Sequence, residues 1–290
     1  MNRYILYIKS MNPAANNKKP ELLLPAGKTE SLYAAIEGGA DAVYLGLKQF
    51  NARQRAANFS IRQLQIMLNI TKKHKIKVYI TLNTLIKNAD LKEILQTLFL
   101  LNQLDSDAVI IQDWSVLYFI KKYFPDIKVH ASTQMANHNS AGARFSKSAG
   151  FERVIFAREL TMHEIQAIRE KSDVGIEIFA HGALCYSFSG MCLFSSFLGG
   201  ASANRGQCAQ PCRRLYSANG QNQFLFSLKD NQLIDYIPKM MEIGIDSIKI
   251  EGRMKSAEYV YTVARAYRMV IDHPEKLEEA KALLTLDMGR

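Results

Sequence analysis

The sequence predicts an α/β protein built as a (β/α)8, TIM-barrel-like domain with a cysteine-rich loop at the barrel mouth. Three observations carry this. Short β-rich runs alternate with amphipathic helical stretches along the chain, the pattern of a parallel sheet covered by helices. Polar residues recur where apolar runs end, the place where a barrel of this type keeps its chemistry. No G-x-G-x-x-G follows the first strand, only Leu24-Pro25-Ala26-Gly27, which argues against an open dinucleotide-binding sheet.

Taken in order, the strand candidates are Glu21–Leu24, Ala42–Leu45, Lys77–Leu82, Ala108–Ile111, Lys128–Ala131, Arg153–Phe156, Gly175–Phe179, Phe224–Leu228 and Ser247–Ile250. Nine is one more than a closed barrel needs, so either Phe224–Leu228 or Gly175–Phe179 lies outside it. Between them, 61–74 is expected to be helical, with Ile61, Leu64, Leu68 and Thr71 on one face. A helix over 91–104 follows Asp90 as its N-cap, and helices over 230–244 and 257–271 close the chain. No Gly/Ser-rich or Pro-rich linker divides the sequence. The expected organisation is a flexible leader over 1–20, with Met11 a candidate start, and a single catalytic domain over 21–290 carrying a cysteine-rich insertion at 181–214.

The chain has 290 residues, 48% of them hydrophobic and 22% charged, enough to bury a full core. No apolar run approaches a membrane span, and the Tyr4–Ile8 patch is too short for a signal-peptide core, so a cytoplasmic protein is expected. Lysine and arginine exceed aspartate and glutamate by 37 − 27 = 10. That excess favours a polyanionic partner such as RNA or a small acidic substrate, although a basic solvated surface would give the same balance.

All four cysteines, Cys185, Cys192, Cys208 and Cys212, fall within the segment EIFAHGALCYSFSGMCLFSSFLGGASANRGQCAQPCRR, spaced C-x6-C-x15-C-x3-C. Disulfides suit small secreted domains better than a large chain without a secretory signal. A structural zinc site normally has two tight C-x2-4-C knuckles, and only Cys208 and Cys212 come close. An iron–sulfur cluster tolerates wide, irregular spacing and fits the pattern better, with zinc and unligated or redox thiols as the alternatives.

The run Glu177-x-Phe179-x-His181-Gly182-Ala183-Leu184-Cys185, followed by Ser189-Gly190-x-Cys192 and Ser195, resembles the signature of the collagenase-like peptidases, family 32 of unassigned mechanism (peptidase U32). Asn204-Arg205-Gly206-x-Cys208-x3-Cys212-Arg213 and Ile250-Glu251-Gly252-Arg253-Met254-Lys255-Ser256 resemble the same family, as does the His130-Ala-Ser-Thr-Gln134 run. The likeness extends from about Glu21 to about Asp272. It implies a barrel-like catalytic domain. Several relatives are oxygen-independent hydroxylases of tRNA, rRNA or ubiquinone precursors, with a 4Fe–4S cluster on four cysteines, so the resemblance implies metal ligation by Cys185, Cys192, Cys208 and Cys212. It also implies prephenate as a candidate hydroxyl-donating co-substrate.

Reading the strand ends gives Gly46, Asn83, Asp113, His130 with Ser132 and Gln134, Arg158 with Glu159, His181, Lys229 with Asp230, and Glu251 with Arg253. As a set these point to a polar pocket. His181, Glu251 and Asp113 are the candidate catalytic residues; Asn83, His130, Gln134, Arg158, Lys249 and Arg253 are the candidate substrate-binding ones. Glu251 and Arg253 bracket a glycine and form either an internal ion pair or a carboxylate-binding fork. A peptidase would need a nucleophile. Neither G-x-S-x-G nor H-E-x-x-H occurs. A Cys185–His181 pair is the remaining option, but four grouped cysteines favour a cofactor over one reactive thiol. With no peptidase motif to set against it, the resemblance implies RNA pyrimidine hydroxylation, with a collagenase-like peptidase and a ubiquinone-pathway hydroxylase subunit as alternatives.

Overall fold

The computed structural model describes residues 18–285. Most of the expected 1–20 leader lies outside the described residues; Lys18–Pro20 form no regular structure. Eight parallel strands make the barrel: β1 (Glu21–Pro25), β2 (Ala42–Gly46), β3 (Lys77–Leu82), β4 (Ala108–Ile111), β5 (Val129–Ala131), β6 (Arg153–Ile155), β7 (Gly175–Gly182) and β8 (Ser247–Ile250). Each pairs with the next, β6 pairs with β7, β7 with β8, and β8 returns to β1, which closes the ring. The helices that follow are α1 (Thr29–Glu37), α2 (Ile61–Lys73), α3 (Leu91–Leu104), α4 (Trp114–Tyr123), α5 (Ser140–Ser148), α6 (Met162–Lys171), α7 (Ile237–Ile243) and α8 (Ala257–Asp272). No described helix is long and apolar enough to cross a membrane.

Alternation along the strands sorts side chains to two faces. Outward, Leu22, Leu24, Val43, Leu45, Val78 and Ile80 meet the helices in the main core. Inward, Leu23, Ala42, Tyr44, Tyr79, Ala108, Ile110 and Ile155 pack together with Phe179 against them. The barrel interior also carries charge. Glu21 accepts from Arg153 (2.6 Å) and Tyr79 (2.8 Å); Glu177, fully buried, meets Arg153 (3.2 Å) and Lys249 (2.9 Å). These pairs let charged groups occupy a site where an isolated ion would be expelled.

Gly175–Phe179 proves to be a barrel strand, extended to Gly182. Phe224–Leu228 is the segment outside the barrel, and it forms no strand. It follows a small hairpin, Tyr216–Ala218 with Gln221–Gln223, whose Asn219-Gly220 turn has positive φ at both residues (53° and 73°), as a two-residue hairpin turn demands. The expected helix over 230–244 begins only at Ile237. Before it, Asn231–Gln232 pair back onto His181 and Gly182, and Pro238 sits in the helix's first turn, where its missing N–H costs nothing. Asp90 does not cap α3 with its side chain; its carboxylate accepts from Lys87 N and Arg205 instead.

Between β7 and Asn231 the chain leaves the barrel and crosses the mouth, a longer excursion than 181–214. It is pinned to three barrel loops. Gln54 N donates to Gly206 O (3.2 Å), Arg205 reaches Asp90 (2.7 Å), and Ser189 N donates to Glu159 (2.6 Å). Gly206 has φ +84° and lies so close to the Asn51 carbonyl that a Cβ would overlap it, so only glycine allows this docking.

Candidate active site at the barrel mouth

The insertion roofs a cavity of about 150 Å³ at the C-terminal ends of the strands. Its floor is Tyr44, Ile110, Ile155, Phe179 and Lys249. The Lys249 ammonium stands 4.3 Å from the Tyr44 ring centre and 5.3 Å from that of Phe179, with Glu177 beneath it. Burial pulls the Lys249 pKa below its ordinary value, with Glu177 opposing it.

One wall is a carboxylate among guanidiniums. Glu251 lies 3.4 Å from Arg53 and 3.4 Å from Arg158. Burial raises the Glu251 carboxyl's pKa, but Arg53, Arg158 and Arg253 together bring it below the ordinary value, so it is ionised. Arg158 is held over the Phe179 ring at 3.8 Å and donates to Ala183 O. Arg253 does not pair with Glu251. Its guanidinium donates to Thr81 Oγ1 (3.0 Å) and Asn51 Oδ1 (3.1 Å), and no described carboxylate lies in ion-pair range of it. Gly46 makes room for it, since a Cβ there would overlap Nη1. Burial lowers the Arg253 pKa to about 10, still fully charged near neutrality. A buried cation with only neutral partners is a ready seat for an anionic ligand group.

The four cysteines are free and all line this cavity. Cys192 Sγ accepts from Phe194 N (3.3 Å) and Cys208 Sγ from Gln210 N (3.4 Å). Burial raises the Cys212 pKa, and Cys185 and Cys208 raise it further, as expected of thiols that share one space. The donor set fits a four-thiolate group. No three described His, Cys, Asp or Glu side chains are already drawn together as a metal shell.

Asn83, Gln134, Arg158, Lys249, Glu251 and Arg253 all line the cavity as the strand-end reading expected. Asn83 Oδ1 accepts from Ala52 N (3.1 Å), which orients the amide. Three expected residues do not reach it. His181 faces outward against α8, its Nδ1 3.3 Å from Tyr267 Oη, and burial lowers its pKa to about 4. The pairing between β7 and β8 shifts register at Lys249/Ile250, so His181 matches outward-facing Ile250 and leaves the face of Glu177 and Phe179. His181 therefore forms no pair with Cys185, whose Sγ meets Ser187 Oγ at 3.1 Å. Asp113 caps α4, accepting from Ser115 N (2.8 Å), and also from Ile86 N (2.9 Å). His130 points into the barrel beside Tyr79 and borders a cleft at the opposite end; burial holds its pKa well below the usual value. Arg53 was not singled out in the sequence, and Glu177 was named there only within the family signature, with no role. A glutamate inside an otherwise apolar strand was the available signal for Glu177; Arg53 sits in a loop with no pattern to mark it.

Comparison with known proteins adds the wider setting. A model of Peptidase family U32 matches residues 27–288. The chain is 40% identical over 268 residues to tRNA hydroxylation protein P1 of Bacillus subtilis, covering 88% of this chain and 64% of that protein. It is 37% identical to a collagenase of Porphyromonas gingivalis (87% and 65% covered). It is 36% identical to a 23S rRNA 5-hydroxycytidine synthase of Escherichia coli (93% and 42% covered). The chain thus spans less than two thirds of the length of each of these relatives. The solved structure of a U32 peptidase superposes with a TM-score of 0.56 at 14% identity, over 80% of this chain and 92% of that one, a likeness of fold alone.

Proposed function

The chain belongs to peptidase family U32, and from its barrel mouth we propose that it carries the active site of an oxygen-independent hydroxylase acting on a pyrimidine of tRNA or rRNA. The observation that carries this reading is that four free cysteines and the cationic group Arg53, Arg158, Lys249 and Arg253 line one cavity. The names of the Bacillus and Escherichia relatives support RNA hydroxylation. The net charge of +10 suits both an RNA backbone and an acidic co-substrate. A cytoplasmic location follows from the same reading.

Cys185, Cys192, Cys208 and Cys212 would hold a 4Fe–4S cluster, which supplies redox or Lewis-acid chemistry beside the bound ligand. The rest of the work falls to the chain's own side chains. Arg253 offers a buried guanidinium fork to one carboxylate of a small acidic co-substrate, with prephenate the candidate donor. Glu251 holds Arg53 and Arg158 at the wall so that neither collapses into the cavity. Phe179 and Tyr44 give a flat apolar floor for a base or ring, and Asn83 and Gln134 can read its polar edge. The roof of the insertion keeps bulk water from the reacting atoms.

The peptidase alternative draws on the collagenase relative. It requires one cysteine to act as nucleophile, and the nearest histidine in sequence, His181, is turned against α8. The test is deletion of the gene and mass spectrometry of RNA nucleosides. Loss of one hydroxylated pyrimidine, restored by the wild-type gene, is expected. An unchanged nucleoside profile alongside accumulation of a peptide or a quinone intermediate would overturn the proposal.

A further inference from the structure

The insertion over the mouth has an outer face that the chemistry of the cavity leaves unused. From Ile178 to Lys229 the sequence holds no aspartate or glutamate, while Arg205, Arg213, Arg214 and Lys229 fall within the same span. Among the described residues, only Arg205 of these four meets a carboxylate, Asp90 at 2.7 Å. Large rings nevertheless stand open to water here: Tyr186 is 53% exposed, Phe188 56%, Phe197 86% and Phe224 61%. Exposed rings gathered on one segment mark a contact surface. A segment that has cations among its rings and no carboxylate of its own fits a polyanion.

Two of these rings stand where the mouth cavity reaches solvent. Cys185 and Tyr186 line the cavity and are themselves exposed, so its opening lies beside them. Tyr186 is braced edge-on against Phe226, with ring centres 5.4 Å apart. Phe188, two residues on, lies flat against the His138 ring, at 4.4 Å and 5° from parallel. That stack fixes one face of the Phe188 ring and leaves the other to solvent. The backbone beyond is pinned as well. Ser189 N donates to Glu159 (2.6 Å), whose carboxylate also stands 3.6 Å from His138 Nε2. Arg213 ties down the chain just before the opening, donating to Leu184 O (2.7 Å), Ser227 Oγ (2.9 Å) and Leu228 O, all neutral partners. A guanidinium has five N–H donors, so Arg213 keeps some to spare. Arg214 beside it is exposed.

We infer that this face of the insertion binds the single-stranded RNA on either side of the reacting pyrimidine, with Tyr186 and Phe188 as stacking platforms for neighbouring bases and Arg213 and Arg214 for their phosphates. It rests on the RNA reading above and deepens it by naming an unpaired strand, not a duplex, as the form of the substrate. The mouth cavity, about 150 Å³, holds no more than one base, so the adjoining nucleotides lie outside it. An unpaired base has a free face to lay on a ring, whereas a base within a duplex is already stacked on its neighbours. Rings braced in advance suit this role, because little side-chain freedom is lost when a base lands on them.

The experiment measures binding of the full-length protein to RNA extracted from the deletion strain, with an oligouridylate strand and its duplex with oligoadenylate as competitors. The variant Tyr186→Leu/Phe188→Leu keeps apolar bulk but removes both rings, and Tyr186→Phe/Phe188→Tyr keeps the rings; thermal melts check that each is folded. The leucine pair is expected to weaken RNA binding roughly tenfold or more with the salt dependence unchanged, while the ring-keeping pair binds as wild type does. Arg214→Ala should instead lower the slope of log affinity against log salt by about one. The single strand should compete and the duplex should not. Wild-type RNA affinity in the leucine pair, or equal competition by the duplex, overturns this inference and leaves the RNA reading intact. So does a wild-type dimer that the leucine pair dissociates without loss of RNA affinity, which would make the face a contact between two copies of the chain. No RNA binding by the wild type removes both.

Discussion

Replacing Glu177 with glutamine takes one negative charge from the centre of the barrel and leaves two buried cations short of a partner. Lys249 lies 2.9 Å and Arg153 3.2 Å from the Glu177 carboxylate, whose side chain is 0% exposed. Arg153 retains Glu21 at 2.6 Å. Lys249, with 4% of its side chain exposed, keeps only the rings of Tyr44 and Phe179 and the longer-range pull of Glu251. Breaking a buried pair from one side costs about 3–5 kcal/mol. An unfolding entropy of about 2.1 cal/mol/K per residue gives roughly 0.6 kcal/mol/K for this chain, so the melting temperature should fall by about 5–8 °C. The loss depends on pH. Burial already lowers the Lys249 pKa, and removing Glu177 lowers it further. Between that folded-state value and the ordinary 10.5, the unfolded chain binds more protons at this site than the folded one, so stability rises with pH. The deficit of Glu177→Gln against wild type should be widest near neutrality and narrow towards about pH 10. Adding Lys249→Met should restore part of the loss, because the stranded charge is then gone. Circular-dichroism melts of the three proteins at two pH values decide the matter. A loss of less than about 2 °C near neutrality, or a deficit that widens at high pH, would refute the reasoning.

Further expectations concern the mouth and its surroundings. Gly46→Ala drives a methyl into the Arg253 guanidinium; it should cost about 1–3 kcal/mol in denaturant unfolding and weaken ligand binding together with stability. His181→Gln should leave RNA modification in place, since the ring lies outside the cavity; a modification level as low as that of a cysteine variant would show that this placement misjudges its role. With its pKa lowered to about 4, the His181 contribution to stability is full above the ordinary 6.5 and is lost as pH falls towards 4, so wild type should lose up to roughly 3 kcal/mol in that window that His181→Gln does not. Anaerobic purification should yield brown protein absorbing near about 400 nm with roughly four irons per chain; stoichiometric zinc and no iron after reconstitution would contradict the cluster.

The barrel was readable because its strands are largely apolar runs of three to eight residues separated by helices with a clear apolar face, as in β3 with α2 before it. Side-chain direction was harder. Strict alternation puts His181 on the same inner face as Glu177 and Phe179, and only the register shift against β8, a feature of the partner strand, turns it outward. Phe224–Leu228 has strand composition, but it belongs to the insertion, where Phe226 packs against Tyr186, Phe194 and Tyr216 and no neighbouring barrel strand is available to pair. The cysteines could be grouped from spacing, whereas the Arg53–Glu251–Arg158 wall joins residues nearly two hundred positions apart in a geometry that no local pattern encodes.

The central claim is that the four cysteines serve one site at the barrel mouth and act as a set in RNA modification. Complementing the deletion strain with Cys185→Ala, Cys192→Ala, Cys208→Ala and Cys212→Ala in parallel, and quantifying the missing hydroxylated pyrimidine by mass spectrometry, tests it most directly. All four variants should fail to restore the nucleoside, because a cluster short of one thiolate is open to solvent and oxidation. Failure of a single variant, with the other three restoring wild-type levels, would contradict the claim and point to one nucleophilic thiol instead.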